Sequence, residues 1–397
     1  MMKYTLLIAG LLLAMPIHAA SLSAALAQAW ARSPQAQMLE AKRAETEAQS
    51  IAAHSFLPGA PAVKVGQRSD QWNSNLGKRE WEAGIAVPVW LPGQREARQQ
   101  QAQVGDEGLV ANIRALQLRL AGELREAIWQ VRLAQAQLQL DEERAQSAKK
   151  LADDVARRTR AGELAKTDLN LAQNEWRTTQ AAILQSRIRL LQAQQAYSTL
   201  TGMMDLPDDV AEKVQPLTAL SDQHPLLEQA RLNITQALAQ VHVVSNSRRD
   251  SPEIELSTRR ERNSFNDPYG STIAVSLRLP LSTDARNLPL SSAAQTALVG
   301  AQSEYARTRL TLEYQLQQAQ QALQTADQML DLAQQQRAAA HENLALIQKS
   351  FNFGESDLYT LLRAMAAAFE ADQSNNQQKI AQALASARLN QAQGVLP

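Results

Sequence analysis

The sequence predicts a mainly α-helical fold with a small β part, arranged as two tandem repeats of helix, strand, strand, long helix and helix. Three observations support this prediction. Two long stretches, residues 93–206 and 290–396, contain no proline and carry apolar residues at helical spacing. Ahead of each stretch, short segments alternate apolar and polar residues, as half-buried strands do. Prolines and glycines also recur at a spacing of 191 or 192 residues.

The first element in chain order is a secretory signal peptide over residues 1–20. Lys3 precedes an apolar run over residues 6–15, and Ala19 and Ala20 offer the cleavage site. That run is too short for a retained membrane helix, and no second apolar stretch reaches transmembrane length. The exported product is therefore expected to be periplasmic, secreted or an outer-membrane β-barrel. Without any cysteine, the chain offers no lipid-acceptor thiol, disulfide or thiolate metal site.

Helices are expected to occupy most of each repeat. In the first repeat we expect a helix over about residues 21–55, a long helix over about 92–160 and a returning helix over about 166–200. An apolar seam follows the long helix at gaps of three and four, through Ile113, Leu116, Leu120, Leu124, Ala127, Val131, Ala134 and Leu138. At 1.5 Å per residue this helix is roughly 100 Å long, so the two shorter helices stacked end to end would match it.

Two β-hairpins are predicted, over about residues 61–90 and 252–281. "WEAGIAVPVW" and "GSTIAVSLRLPL" alternate apolar and polar residues, and each follows a partner strand and a polar loop. Trp81 and Trp90 are nine residues apart, close to the length of a membrane-spanning strand. We therefore expect Trp81 and Trp90 at the two membrane interfaces, the alternative being a soluble sandwich strand with two core tryptophans.

The chain is predicted to be a tandem duplication. Four landmarks recur in register, namely Pro34 with Pro225, Pro61 with Pro252, Pro88 with Pro280, and Gly162 with Gly354. The first repeat then covers residues 21–206, a connector covers 207–224, and the second repeat covers 225–397.

The strands of one chain are too few to close a barrel. Four strands leave two open edges, and unpaired backbone groups in lipid cost several kcal/mol each. Two copies would give eight strands around a filled interior, and three would give twelve strands, enough for a lumen.

The sequence carries no catalytic or metal-binding signature, so we predict neither enzyme activity nor a cofactor. Its histidines are scattered and match no paired-ligand spacing; they are His18, His54, His224, His242 and His341. With 40 basic and 40 acidic residues the formal net charge is zero, which gives no reason to expect a nucleic-acid partner.

Over essentially its whole mature length the chain resembles the TolC family of outer-membrane efflux ducts. The matching segments are "SLSAALAQAWARSPQ", "PVWLPGQREARQQQA", "RLPLSTDARN" and the two glycine breaks, Gly162 and Gly354, that interrupt the helical stretches. The segment "VPVWLPGQRE" is most similar to the branch that serves heavy-metal pumps of the cobalt–zinc–cadmium type. The resemblance implies a homotrimer in outer-membrane lipid, with a twelve-stranded barrel continued by a periplasmic helical tunnel. It also implies two partners, a periplasmic adaptor and an inner-membrane, proton-driven pump of the RND type.

By the same resemblance, the two glycine breaks become helical hairpin tips at the periplasmic end, over about residues 158–168 and 350–357. Gly162 and Gly354 would reverse the chain, with Thr167 or Asp168 and Ser356 or Asp357 capping the returning helices. The residues expected to dock on the adaptor are Arg160, Gly162, Glu163 and Leu164 of the first tip, and Phe353, Gly354 and Glu355 of the second.

The resemblance also implies a periplasmic gate or constriction. The positions carried over are Asp168, Phe351, Ser356, Asp357, Thr360 and Arg363. The chain departs from the family pattern here, because Phe351 and Ser356 occupy the positions of a tethering tyrosine and arginine. Thr360 and Arg363 likewise replace an acidic ring. We therefore expect Asp168 to pair instead with Arg363 or Lys349 of a neighbouring hairpin.

The expected function is that of a passive exit duct in a tripartite efflux system, carrying heavy-metal cations. One alternative keeps the duct and changes the cargo to drugs, or to polypeptides of a type I secretion system. A second alternative is a soluble periplasmic coiled-coil protein of structural role.

Overall fold

The computed structural model describes residues 21–207, 210–215 and 219–397. The predicted signal peptide and parts of the predicted connector lie outside the described residues. The elements are α1 (Leu22–Arg32), α2 (Pro34–His54), β1 (Ala62–Ser69), β2 (Arg79–Pro88), α3 (Gln94–Arg160), α4 (Lys166–Thr201), α5 (Pro225–Asn246), β3 (Glu253–Arg262), β4 (Gly270–Arg278), α6 (Asp284–Asn352) and α7 (Leu358–Ala392).

The predicted tandem architecture is confirmed in the order and length of the elements. Helix α3 has 67 residues and α6 has 69, while α4 and α7 have 36 and 35. Pro34 and Pro225 each occupy the first turn of a helix of similar length, α2 and α5. Proline suits that position because its missing N–H would have no helical partner there.

The single helix predicted over residues 21–55 is wrong, because the chain breaks it at Ser33. The Ser33 N–H donates to the carbonyl of Trp30, which ends α1, and the Ser33 hydroxyl accepts from the N–H of Ala36, which caps α2. Serine followed by proline is a strong helix-start signal, and here it outweighs the helical periodicity on both sides.

The four strands form one antiparallel sheet in the order β1-β2-β3-β4. Each predicted hairpin is present, and β2 pairs with β3 over its full length, from Arg79 opposite Arg262 to Pro88 opposite Glu253. The two repeats are therefore joined through the centre of the sheet, which leaves β1 and β4 as its edges.

The helices form a layer in which α3 lies inside and α6 lies at one edge. Helix α3 contacts α1, α2 and α4 on one flank and α5 and α7 on the other, and the main contacts of α6 among the described residues are with α5 and α7. The contacts of α3 rest on small and aliphatic side chains, and Ala115, Leu118, Ala121 and Leu124 are fully buried. Alanine at these positions lets neighbouring helices approach closely without a thick aromatic core.

Both glycine breaks are helix C-caps of one type. Gly162 has a φ of 82° and Gly354 a φ of 78°, in the left-handed region that favours glycine. Beyond them, the N–H of Glu163 donates to the carbonyl of Arg158, and the N–H of Glu355 to that of Ser350. These hydrogen bonds define a Schellman motif at each tip.

The helices that return from the tips are capped somewhat differently from the prediction. Asp357 is the N-cap of α7, and its Oδ1 accepts from the N–H of Thr360 at 2.8 Å. In the first tip, Ala165 rather than Thr167 is the N-cap of α4, and Asp168 acts from the first turn by accepting from the N–H of Ala165 at 3.1 Å. The carboxylate still satisfies a free backbone donor, from three residues further along.

Candidate functional site

One face of the sheet is largely apolar and uncovered. Residues that alternate along each strand share this face; the larger apolar ones are Val63, Val65, Trp81, Ile85, Val87, Ile254, Leu256, Ile273, Val275 and Leu277. Towards the loop end of the sheet the same face also carries Gln67 and Arg260, on either side of Trp81. Val275, in the middle of β4, is 72% exposed within the single chain. An exposed apolar face of this extent marks a surface that meets lipid or another protein.

The opposite face is charged and internally paired. Glu80 is only 5% exposed, and its Oε1 lies 3.4 Å from Arg68 Nη1 and 3.1 Å from Arg259 Nε. Lys64 Nζ lies between Glu82 and Glu255, at 3.4 and 3.5 Å. Glu80, Glu82 and Glu255 are therefore neutralised by bases from β1 and β3, which suits a wall that faces water.

Gly84 lies on the same charged face, where two strands come close together. A Cβ atom at this position would lie 2.9 Å from Ser257 Cβ and 3.1 Å from Glu255 Oε1. A side chain would therefore displace the carboxylate that Lys64 contacts, so the close approach requires glycine here.

Both edges of the sheet are open. β1 pairs only with β2, β4 pairs only with β3, and no β1–β4 pairing closes the sheet within the described chain. Each edge strand therefore presents a row of backbone N–H and C=O groups without a ladder partner. Such edges invite pairing with strands of another molecule.

The two tryptophans expected at membrane interfaces do not lie on one strand. Trp81 is near the loop end of β2 on the apolar face, but the strand ends at Pro88, before Trp90. The Trp90 Nε1–H donates to the carbonyl of Ser55 at 3.2 Å, so this ring lies at the junction between sheet and helices. An indole with a polar anchor and an apolar body remains compatible with an interface position.

The residues expected to dock on an adaptor are brought together at the far end of the helices. Arg160, Gly162, Glu163, Phe353, Gly354 and Glu355 are all exposed, and Leu164 is half-buried. Phe353 is the largest of them and is 72% exposed. Leu164 instead packs on the apolar cluster that joins the two tips.

That cluster accounts for Phe351, one of the residues expected at the constriction. Phe351 is 3% exposed and packs with Ala152, Val155, Ala172, Leu358 and Leu361. The Arg158 guanidinium lies 5.2 Å from the centre of its ring, a cation–π distance. Within one chain Phe351 is therefore a packing residue between the two helical hairpins.

The other constriction residues divide into capped and exposed groups. Asp168 and Asp357 each bind a backbone N–H of their own tip. The hydrogen bond from Thr360 lowers the pKa of Asp357, so this carboxylate stays ionised. Ser356 shares a 2.7 Å hydrogen bond with Ser350, while Thr360 and Arg363 are exposed. Within the described part of one chain, Asp168 forms no ion pair with Lys349 or Arg363.

Sequence reasoning missed a buried ion pair midway along the helices. Arg125 is 2% exposed, and its Nε and Nη2 lie 2.7 and 2.6 Å from the two carboxylate oxygens of Glu212. Arg125 also donates to the carbonyl of Val395 at 3.0 Å. Helix α3 is thereby tied to both the connector and the C-terminal segment. In the sequence, the one sign of this ion pair is that an arginine directly follows Leu124 of the apolar seam.

The described residues contain no cluster of three or more histidine, cysteine, aspartate or glutamate side chains that could hold a metal ion. His341 Nε2 lies 2.9 Å from both carboxylate oxygens of Asp372, whose pKa is lowered overall: burial raises it, while hydrogen bonds from His341 and Arg337 lower it by more. None of the helices in the described ranges is both long and apolar enough to cross a bilayer.

Comparison with known proteins finds the same fold in solved structures. Residues 217–395 match the sequence model of the outer membrane efflux protein family. The solved structure of CusC covers 94% of this chain and 92% of its own, with a TM-score of 0.73 at 17% identity. The chain has the fold of the outer-membrane efflux proteins. The predicted fold class and the coarser resemblance to TolC-type channels are thus supported.

Two further structures give the same result. The outer membrane protein VceC of Vibrio cholerae is 16% identical, with a TM-score of 0.73 over 94% of this chain and 96% of its own. The MtrE outer membrane channel of Neisseria gonorrhoeae is 19% identical, with a TM-score of 0.73 over 94% and 89%. A search of curated protein sequences finds no significant match. At these identities the similarity shows the fold alone.

Proposed function

We propose that three copies of this chain form an outer-membrane exit duct of a tripartite efflux system. The observation that carries the proposal is the sheet: it has one apolar face, one ion-paired polar face and two open edges. Three such sheets joined edge to edge make a twelve-stranded barrel, with the apolar face towards lipid and the charged face lining a lumen.

The helical layer supports the same assembly, because it too has two unpartnered edges. Helix α6 exposes Leu310, Met329, Leu332 and Leu346, and α4 at the opposite edge exposes Leu171, Leu184, Ile188 and Leu191. Packing α6 of one copy on α4 of the next would cover both sets. The helices would then form a closed cylinder that continues the barrel into the periplasm.

The partners and the cargo follow from the sequence resemblance. The exposed tip residues, Phe353 foremost, would dock on a periplasmic adaptor connected to an RND-type inner-membrane pump. Heavy-metal cations are the proposed cargo, on the basis of the segment "VPVWLPGQRE". Closure of the mouth would rest on Asp168 of one hairpin pairing with Lys349 or Arg363 of another copy.

Complementation in an efflux-deleted Gram-negative host tests this function. The chain, with its pump and adaptor, should restore resistance to heavy-metal cations, and a drug and a secreted polypeptide serve as the alternative cargoes. Phe353→Asp should abolish resistance while leaving membrane trimers intact. The control is Trp72→Asp, an even more exposed aromatic in the loop at the opposite end of the molecule. Recovery of the chain only as a soluble elongated monomer would contradict the duct and favour a structural role.

A further inference from the structure

One cavity of the described chain lies where the sheet meets the helices. It has a volume of about 910 Å³. The ends of α2 and α5 and the beginnings of α3 and α6 form its walls, and Trp90 is one of its lining residues. None of the roles proposed above uses this cavity.

The charge of the wall is positive. Arg98, Arg248, Arg249 and Arg286 line the cavity, against Asp250 and Asp284. Asp250 forms an ion pair with Arg286, whose Nη1 lies 2.8 Å from the Oδ2 of Asp250. This hydrogen bond lowers the pKa of Asp250, so the pair stays ionic. The other charged residues of the wall are three arginines, Arg98, Arg248 and Arg249, and one acid, Asp284.

All four arginines are exposed; Arg248 and Arg249 are adjacent in the chain, and neither forms an ion pair with an acid of the described residues. Their backbone is nevertheless fixed, because Gln94 Nε2 donates to the carbonyl of Arg249. Two adjacent guanidinium groups on a fixed segment, both without a carboxylate, form a site for an anion. The anion would come from outside the chain.

The other polar residues that line the cavity indicate which kind of anion would bind there. Hydroxyl and amide groups also line the cavity; they belong to Ser245, Ser247, Ser251, Ser282, Ser291, Gln94, Gln101 and Asn287. A phosphate has more acceptor oxygens than a carboxylate, so it can take donors from more directions. We propose that this junction cavity binds a phosphate group through Arg248 and Arg249.

Two sources of phosphate fit this chemistry. The cavity lies at the junction between sheet and helices, so in the proposed barrel the headgroup of an anionic phospholipid would reach it at the membrane interface. A phosphate-bearing solute would reach it from water. The lipid source rests on the proposed membrane location, whereas binding of a solute does not depend on it.

The experiment compares the wild-type chain with R248Q/R249Q, and uses R177Q/R189Q as the control. Arg177 and Arg189 are also exposed and without an ion pair among the described residues, but they lie on α4, away from the cavity. Inorganic phosphate is titrated into detergent-solubilised protein by calorimetry. In parallel, nanodiscs of phosphatidylcholine, with and without phosphatidylglycerol, are assayed for retained lipid by native mass spectrometry.

The R248Q/R249Q variant should lose about tenfold or more in affinity for whichever source is the ligand, because charge-assisted hydrogen bonds are lost. Binding of inorganic phosphate by wild type and control alone would support the site and identify a solute. Selective retention of phosphatidylglycerol by the same two proteins would support it and identify a lipid headgroup. Equal behaviour of all three proteins in both assays would overturn the proposal, and so would an equal loss in R177Q/R189Q.

Discussion

Replacing Val275 with arginine should prevent insertion of the sheet, whereas the same replacement at Ser276 should not. The two residues are neighbours in the middle of β4, opposite Leu256 and Glu255 of β3. Successive residues of a strand point to opposite faces. Comparing the two variants therefore tests which face of β4 meets lipid, at one depth in the membrane.

The magnitude follows from the position in the strand. β4 has nine residues, so it is about 30 Å long, and Val275 lies near its centre. Arginine on the lipid face at mid-depth costs about 2–4 kcal/mol. In a trimer the cost recurs three times, roughly 6–12 kcal/mol in all, enough to remove most of the folded assembly. Arginine at 276 would instead face Glu255 on the charged side and cost little.

Semi-native electrophoresis of outer-membrane extracts measures the outcome as the fraction of heat-sensitive trimer. Val275→Arg should reduce that fraction at least tenfold, and Ser276→Arg should leave it near the wild-type level. Equal trimer yields for the two variants would refute the assignment, and a greater loss in Ser276→Arg would reverse it.

Three other predictions concern the helical part. Arg125→Met should lower the free energy of unfolding by about 3–5 kcal/mol, since it leaves Glu212 without its buried partner, and urea melts of the detergent-solubilised protein measure this. Burial lowers the pKa of His224 from 6.5 to about 4, so the unfolded chain binds a proton that the folded chain does not. Stability should therefore fall as the pH drops from about 6.5 towards 4, by up to about 3 kcal/mol, and His224→Asn should abolish this pH dependence of the melting temperature. Gly354→Ala should speed hydrogen exchange at the second tip about fivefold, through a left-handed backbone cost of about 1 kcal/mol, although its Cβ meets no atom within 4 Å. Gly300→Ala has the same free space inside α6 and should leave exchange unchanged or slow it.

Local patterns predicted the elements well because each depends on residues close together in the chain. Alternation around Ile85 and Val275 identified the strands, and Gly162 and Gly354 marked the helix reversals through their backbone freedom. The break at Ser33 was missed, since the periodicity of α1 continues into α2 and obscures the cap.

The parts that prediction missed depend on contacts between distant residues. Arg125 meets Glu212 across 87 positions, and no local pattern relates the two. The resemblance implies a place at the constriction for Phe351, but within one chain its ring is buried between α3 and α7. Trp90 has the expected spacing from Trp81, yet the strand ends at Pro88 and the ring turns to Ser55.

Disulfide cross-linking between sheet edges tests most directly whether three copies complete one barrel. The chain has no cysteine, so introduced pairs supply its only thiols. One cysteine is placed on β1, at Val63 or Val65, and one on β4, at Ile273 or Val275, and each combination is oxidised in outer-membrane vesicles. At least one combination should yield covalent dimers and trimers and nothing larger on a non-reducing gel. Monomer alone in every combination, or a ladder that continues past three, would contradict the account.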